Sequence, residues 1–432
     1  MKAIIVVLLL CACSFIYAAP TELRTWESTS GSKIEAVAMK VVNGTAYFKK
    51  EGARKFIKVP LTKLSDADQE FLKAHFKIND EDAKPKAFVS DREAADGLPV
   101  ERGVVKTVPI VVKEGISYRL YIPKSLKKSK VYPLLYYTSS GGGKQRIIDA
   151  MIKGAEVNQW IVATPVESDN RSKNNGEQME SCFNHIVSTI PLDSQRIYLI
   201  GGSGGARRAF LFADYLRKNK IKPAGLISIV AGYTRHPFDK NICHYYINGG
   251  TDFNRYESAN SYNITGKKSV IRIHPGKHEV GPHIMISEAM TYLNGLFLEK
   301  AKGKAYGQMR KEYEASVIAW IEELKAEEPY RAYYWADYLN EYKVSSIFKK
   351  KLGSLHKELG ANKSNVDYIE GLKDIAGFVS KEFPKIKDST GSKMSFNEPK
   401  SSKKALKLAE KYAHVKWIHD CFISLSSKTG KL

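Results

Sequence analysis

One short run constrains this chain more than any other. Arg196-Ile197-Tyr198-Leu199-Ile200 is apolar, β-branched and aromatic, Gly201-Gly202-Ser203-Gly204-Gly205 is a tight turn, and Ala206-Arg207-Arg208 opens a helix-compatible stretch. A strand entering and a helix leaving a G-x-S-x-G turn is the pattern of a nucleophile elbow. The serine at the tip takes up a strained backbone conformation, and a Cβ at the flanking positions would strike the neighbouring strand or helix. The strain exposes Oγ and turns the following backbone N–H groups toward a carbonyl under attack. The reading predicts Ser203 as a nucleophile and the Gly204 N–H as an oxyanion donor. A plain glycine-rich turn spells the same letters, so the partners of Ser203 decide between the two.

Apolar runs recur at 108–112, 118–122, 132–137, 160–165, 196–200, 225–231, 244–247 and 269–273, and helical stretches such as 178–190 and 206–218 separate the later ones. Early hairpin strands followed by alternating strands and helices predict an α/β class, with a mostly parallel sheet flanked by helices. In such a sheet the order serine, acid, histidine along the chain suits a nucleophile elbow. His244-Tyr245-Tyr246-Ile247 leads into a loop carrying Asp252, and Ser269-Val270-Ile271-Arg272-Ile273 leads into a loop carrying His278. His278 would take the Ser203 proton during attack, and Asp252 would fix the imidazole tautomer and stabilise its cation. The competing readings are Asp252 as a turn former and His274 or His283 in place of His278. A second oxyanion donor is expected from Thr138-Ser139-Ser140-Gly141-Gly142-Gly143, with Ser140 as the candidate. A metal site at His278-Glu279 and His283 is rejected, because the spacing is wrong and Gly281-Pro282 breaks the helix it requires.

Gly201-Gly202-Ser203-Gly204-Gly205-Ala206-Arg207, Gly250-Thr251-Asp252-Phe253-Asn254 and Gly276-Lys277-His278-Glu279-x-x-Pro282 resemble the secreted esterases related to feruloyl esterases and polyhydroxybutyrate depolymerases. The resemblance covers residues 98–300 and implies an α/β-hydrolase fold, ester hydrolysis through an acyl-enzyme and no cofactor. The chain departs from those enzymes in one place: they usually carry His-Gly or His-Pro in the oxyanion loop, where this chain has Ser139-Ser140.

Residues 20–76 read as a small unit of short strands with turns at Asn43-Gly44 and Glu51-Gly52, closed by a helix with Ser65 as N-cap. Arg24-x-Trp26, Gly31-x-x-Ile34-Glu35-Ala36, Val59-Pro60-Leu61 and Leu64-Ser65-x-x-Asp68 resemble the Sla-type homology domain, a small Src-homology-like barrel. That resemblance implies a binding or attachment module. Residues 77–97 are polar and charged and read as a linker. Residues 301–432 are rich in Lys, Glu and Tyr with helical periodicity and read as a helical region, interrupted by a Ser/Lys-rich loop at 388–403.

Met1-Lys2, the apolar run 3–10 and the small-residue exit at Ala18-Ala19 read as a secretory signal peptide over 1–19. Lipidation at Cys13 is the alternative and the one route to a membrane. Beyond that leader the chain keeps Cys182, Cys243 and Cys421, too few for a disulfide scaffold. The net charge is +22 over 432 residues. In an exported chain this points away from nucleic acid and toward acylated or anionic polysaccharide or an anionic envelope, with a merely solvated basic surface as an equal alternative. Three readings stand at this point: an exported serine esterase on carbohydrate-linked or polymer esters, a non-catalytic glycan- or envelope-binding protein with a degenerate hydrolase domain, and a serine peptidase of the same fold.

Overall fold

The computed structural model describes residues 20–76 apart from 43, 54 and 55, residue 78, and residues 100–427 apart from 111, 112, 114, 128, 130, 234–241, 267, 268, 343 and 384–397. The expected leader with Cys13, the linker 77–97 apart from residue 78, and the expected loop over 388–397 lie outside the described residues. The chain separates into two compact units, 1–87 and 88–432.

In the first unit, β1 (Arg24–Glu27), β2 (Lys33–Val42), β3 (Thr45–Lys49) and β4 (Ile57–Pro60) form an antiparallel meander. Period-two alternation puts Trp26, Ala36, Ala38, Ala46 and Phe48 on one buried face. The α1 helix (Asp66–His75) covers that face with Leu72, and the Ser65 hydroxyl accepts from the Asp68 N–H at its N-terminus. The Asp68 carboxylate accepts the Glu27 N–H at 2.6 Å and the Arg24 guanidinium at 2.8 Å, which staples helix to strand. The Trp26 indole closes the core by donating to the Ala36 carbonyl.

The second unit is built on a sheet of β5 (Val105–Pro109), β6 (Ser117–Tyr121), β7 (Tyr132–Thr138), β8 (Ile161–Pro165), β9 (Leu192–Gly202), β10 (Gly225–Ile229), β11 (Cys243–Gly249) and β12 (Val270–His274). Among the described residues its spatial order is β12-β11-β10-β9-β7-β8-β6-β5. All neighbours from β12 to β8 run parallel, and β6 and β5 continue antiparallel. The first strand sits three residues earlier than the apolar run suggested, because Val105–Pro109 is the stretch that pairs with β6. The central strands are buried on both faces, which is why they read as unbroken apolar runs. Leu134, Tyr136, Ile197 and Leu199 face one core, while Leu135, Tyr137, Tyr198 and Ile200 face the other.

Between and after the strands lie α2 (Gln145–Asp149), α3 (Ile152–Asn158), α4 (Asn175–Thr189), α5 (Gly204–Lys218), α6 (Arg255–Thr265) and α7 (His283–Lys300). This is an α/β-hydrolase fold. The strands that feed α5, α6 and α7 run parallel, so the loops leaving β9, β11 and β12 gather at one edge of the sheet, where open α/β sheets bind ligands.

The C-terminal region is helical: α8 (Lys304–Glu327), α9 (Pro329–Glu341), α10 (Ser346–Gly360), α11 (Lys363–Glu382), α12 (Glu398–Lys411) and α13 (Lys416–Ser426). Residues 398–403, expected as part of a loop, form the first turns of α12 instead. The expected single helix over 405–418 is two, broken at 412–415. The first three helices build a core around Val317, Trp320, Ile321 and Trp335. The last three place Tyr368, Ile375, Ile418 and Phe422 in the same core as Leu134 and Leu199 of the sheet. Arg331 joins the two sets: it ion-pairs with Glu288 and Glu328 and lies over the Trp417 ring. No helix among the described residues is long and apolar enough to cross a membrane. Among the described residues Cys182, Cys243 and Cys421 are buried and form no disulfide.

Candidate active site

Ser203 occupies the turn between β9 and α5 with φ 53° and ψ −123°. Few non-glycine residues adopt a positive φ, and the cost is sustained only where the surroundings fix it. They do so here. The Thr138 hydroxyl donates to the Gly205 carbonyl at 2.6 Å, the Ser203 N–H donates to the Ile229 carbonyl at 2.8 Å, and Arg208 donates to the Ser139 carbonyl at 3.1 Å. A Cβ at position 205 would lie 2.1 Å from the Thr138 carbonyl oxygen, so α5 packs this close to β7 only with glycine there. Gly204 is the first residue of α5, and the N–H groups of a first turn have no intrahelical acceptor.

The structure brings the three expected side chains together. His278 Nε2 lies 3.0 Å from Ser203 Oγ, and His278 Nδ1 lies 2.9 Å from Asp252 Oδ1. Nδ1 facing a carboxylate carries the proton, which leaves Nε2 as an acceptor for the serine hydroxyl. Asp252 is fully buried, and burial is the main reason its carboxyl is held above the ordinary value. The Asn254 N–H at 2.8 Å and His278 oppose that shift. Phe253 packs against the imidazole at a tilt, with ring centres 4.1 Å apart and planes 31° from parallel.

The competing histidines are placed elsewhere. His274 is buried at the end of β12, where its Nδ1 accepts the Gly276 N–H, and burial lowers its pKa to about 4. His283 opens α7 on the cavity wall, without a bond to Ser203.

Ser203 and His278 open into a cavity of about 700 Å³ that Ser140, Tyr137, Arg146, Met151, Val280 and Ile286 also line. Ser140, the expected second oxyanion donor, is one of the residues on the wall of this cavity. Burial pushes the Tyr137 phenol up to about 12, so a neutral hydroxyl lies against Gly202.

Several contributors were not legible beforehand. Val230 lines the cavity at φ 47°, a strained angle for a β-branched residue, and its carbonyl accepts from the Asn254 side chain. Arg207 grips Glu257 through both carboxylate oxygens, tying the helix after Ser203 to the helix after Asp252. Asn170 lies against Gly204. Phe253 and Arg207 stand in the stretches that carry the resemblance; the contacts of the others span tens of residues.

No family model matches the chain, and no curated protein matches it. Solved structures similar to it include an α/β-hydrolase enzyme from the metagenome of Lake Arreo, Spain (16% identity, 47% of this chain and 85% of that one, TM-score 0.37). They also include an arylesterase (12%, 54% and 99%, 0.36) and a hyperthermophilic esterase from the archaeon Pyrobaculum calidifontis (14%, 45% and 87%, 0.37).

Proposed function

We propose that the chain is a serine hydrolase that cleaves carboxylic esters. The observation that carries this reading is the continuous relay from Ser203 Oγ through His278 to Asp252, at 3.0 and 2.9 Å, with the serine held at positive φ beside an open cavity. Ser203 Oγ attacks the ester carbonyl and passes its proton to His278 Nε2. The carbonyl electron pair moves to oxygen, and the oxyanion is received by the Gly204 N–H and the Ser140 side of the cavity. Collapse expels the alcohol, which takes the proton from the imidazolium. Water activated by His278 then hydrolyses the acyl-Ser203 ester. Asp252 keeps the imidazole oriented and stabilises its cation throughout.

The finer reading is an exported esterase acting on carbohydrate-linked or polymer esters. The expected leader over 1–19, the +22 charge and an open cavity with both apolar and charged walls support it. Labelling with a fluorophosphonate probe tests the core of the proposal without knowledge of the substrate. The mature protein labels, and Ser203→Ala and His278→Ala do not. A folded wild type that stays unlabelled would overturn the reading in favour of a binding protein. Amide hydrolysis equal to ester hydrolysis would favour a peptidase.

A further inference from the structure

Gly204 is a glycine for a reason unrelated to the turn. A Cβ at this position would meet Asn170 Oδ1 at 2.6 Å, Nδ2 at 2.7 Å and Cγ at 3.0 Å. The carboxamide of Asn170 fills the space that a side chain on the residue after the nucleophile would take.

The backbone of Asn170 is fixed from both sides. Its N–H donates to the Ser140 carbonyl at 2.9 Å, and Gly141 and Asp169 form a β-bridge. The Asp169 carboxylate accepts from the Arg171 and Ser172 N–H groups, while the Asn175 side chain grips the Asp169 carbonyl. The side chain is treated differently: among the described residues its amide makes no hydrogen bond, and it is exposed. An exposed amide beside the residue after the nucleophile meets water in the free protein, and an oxygen that arrives with the substrate can take the place of that water.

Simple geometry bounds where that oxygen can lie. The Cβ position of any residue is about 2.5 Å from its own nitrogen by standard bond lengths. With Nδ2 at 2.7 Å from that position, the amide nitrogen and the Gly204 nitrogen are at most roughly 5 Å apart. Two donors that share one acceptor at about 2.9 Å each stand at most about 6 Å apart. Oδ1 and Nδ2 differ by only 0.1 Å in their approach, so the bound holds for either orientation of the amide.

We propose that Asn170 is a catalytic residue whose side-chain N–H donates, together with the Gly204 N–H, to the oxyanion of the tetrahedral intermediate. The inference rests on the esterase reading above. It gives a physical account of the Ser139-Ser140 departure: a donor from the loop after β8 stands beside an oxyanion loop that lacks the usual histidine.

The test measures kcat and KM for p-nitrophenyl butyrate with wild type, Asn170→Ala and Asn170→Asp. Loss of one oxyanion donor lowers kcat by about 10²- to 10³-fold with KM little changed. The aspartate variant keeps the shape of the side chain and is the slower of the two, because its charge repels the oxyanion. A residue that merely supported the loop would show the reverse order.

Gly204→Ala supplies a second arm. It is severely impaired alone, and in the Asn170→Ala background it adds little further loss, because the Cβ then enters vacated space. Equal kcat in wild type and both Asn170 variants, or an aspartate variant as active as wild type, overturns the inference and leaves the hydrolase reading intact. Absence of hydrolysis and of Ser203 labelling in folded wild type overturns both.

Discussion

The Ser203 turn and the loops that carry Asp252 and His278 meet in two hydrogen bonds but are built in different ways. The turn is supported at close range. Its strain is fixed by the preceding strand, the first residues of α5 and the end of β7, through Thr138, Ser139 and Gly205. The acid and histidine loops depend on the far end of the chain. Arg255 donates to the Gly250 carbonyl and to the Ser427 carbonyl, the Cys421 thiol donates to the Ile273 carbonyl at 3.1 Å, and Gly250 abuts Ser424. One half of the constellation is thus braced by neighbouring strands of the sheet itself, and the other half is held by a helix about 150 residues further on in sequence. Damage to the first half should remove chemistry and leave the fold; damage to the second should cost stability along with chemistry.

The largest expected effect belongs to the turn. Ser203→Ala lowers kcat/KM for a p-nitrophenyl ester by roughly 10⁴-fold or more, while the thermal midpoint stays within about 2 °C of wild type. Asp252→Asn follows, with a loss of about 10³- to 10⁴-fold, since an amide favours the wrong imidazole tautomer. The comparison breaks if Ser203→Ala unfolds the protein, or if Asp252→Asn retains more than a tenth of the activity.

The same contrast explains what could be read from the sequence. The turn was legible because its chemistry needs contiguous residues: five positions specify strand end, tip and helix start. Asp252 and His278 were legible as letters, since each follows a recognisable apolar strand in the expected order. Their supports were not. The Gly250–Ser424 contact, the Arg255–Ser427 bond and the Arg207–Glu257 pair join residues that no periodicity relates. For the same reason the C-terminal helices carried only helical periodicity in the sequence. Their tertiary role comes from Tyr368, Ile418 and Phe422, whose burial against the sheet sets one long-range face among several apolar ones. The difference at 398–403 has a local cause: Ser401, Ser402 and Lys403 read as loop by composition. In the structure Ser401 donates to Glu382 and Ser402 to the Ser426 carbonyl, and these contacts draw the segment into α12.

Gly250 tests the long-range half directly. A Cβ there would lie 1.8 Å from Ser424 Oγ and 2.7 Å from its Cβ, so α13 must shift to admit it. Gly250→Ala is expected to cost roughly 1–3 kcal/mol in urea unfolding, in the range of an overpacked core position. Ser424→Gly removes the obstructing atoms and should recover much of that loss in the double variant. Strict additivity of the two changes would show that α13 does not bear on the Asp252 loop.

The smallest effect concerns pH, and it separates the two halves because the turn from Gly201 to Gly205 holds no group that titrates near neutrality. His274 sits at the root of the His278 loop, buried and neutral, with a pKa near 4 against about 6.5 in an unfolded chain. A histidine lowered in this way binds its proton more readily when unfolded, so stability rises with pH between those two values and levels off above 6.5. Lowering the pH from 8 to 6 should therefore remove just under about 1 kcal/mol on account of this group alone. The Glu279 charge moderates the shift but does not cancel it. Asp252, raised by burial, contributes with the opposite sign. His185, also lowered by burial, adds to the wild-type slope. The readout is consequently the difference between wild type and His274→Gln in urea midpoints at pH 8 and 6. The slope should be shallower in the variant; equal slopes would mean that His274 carries its proton in the folded protein and that the Gly276 contact is made in some other way.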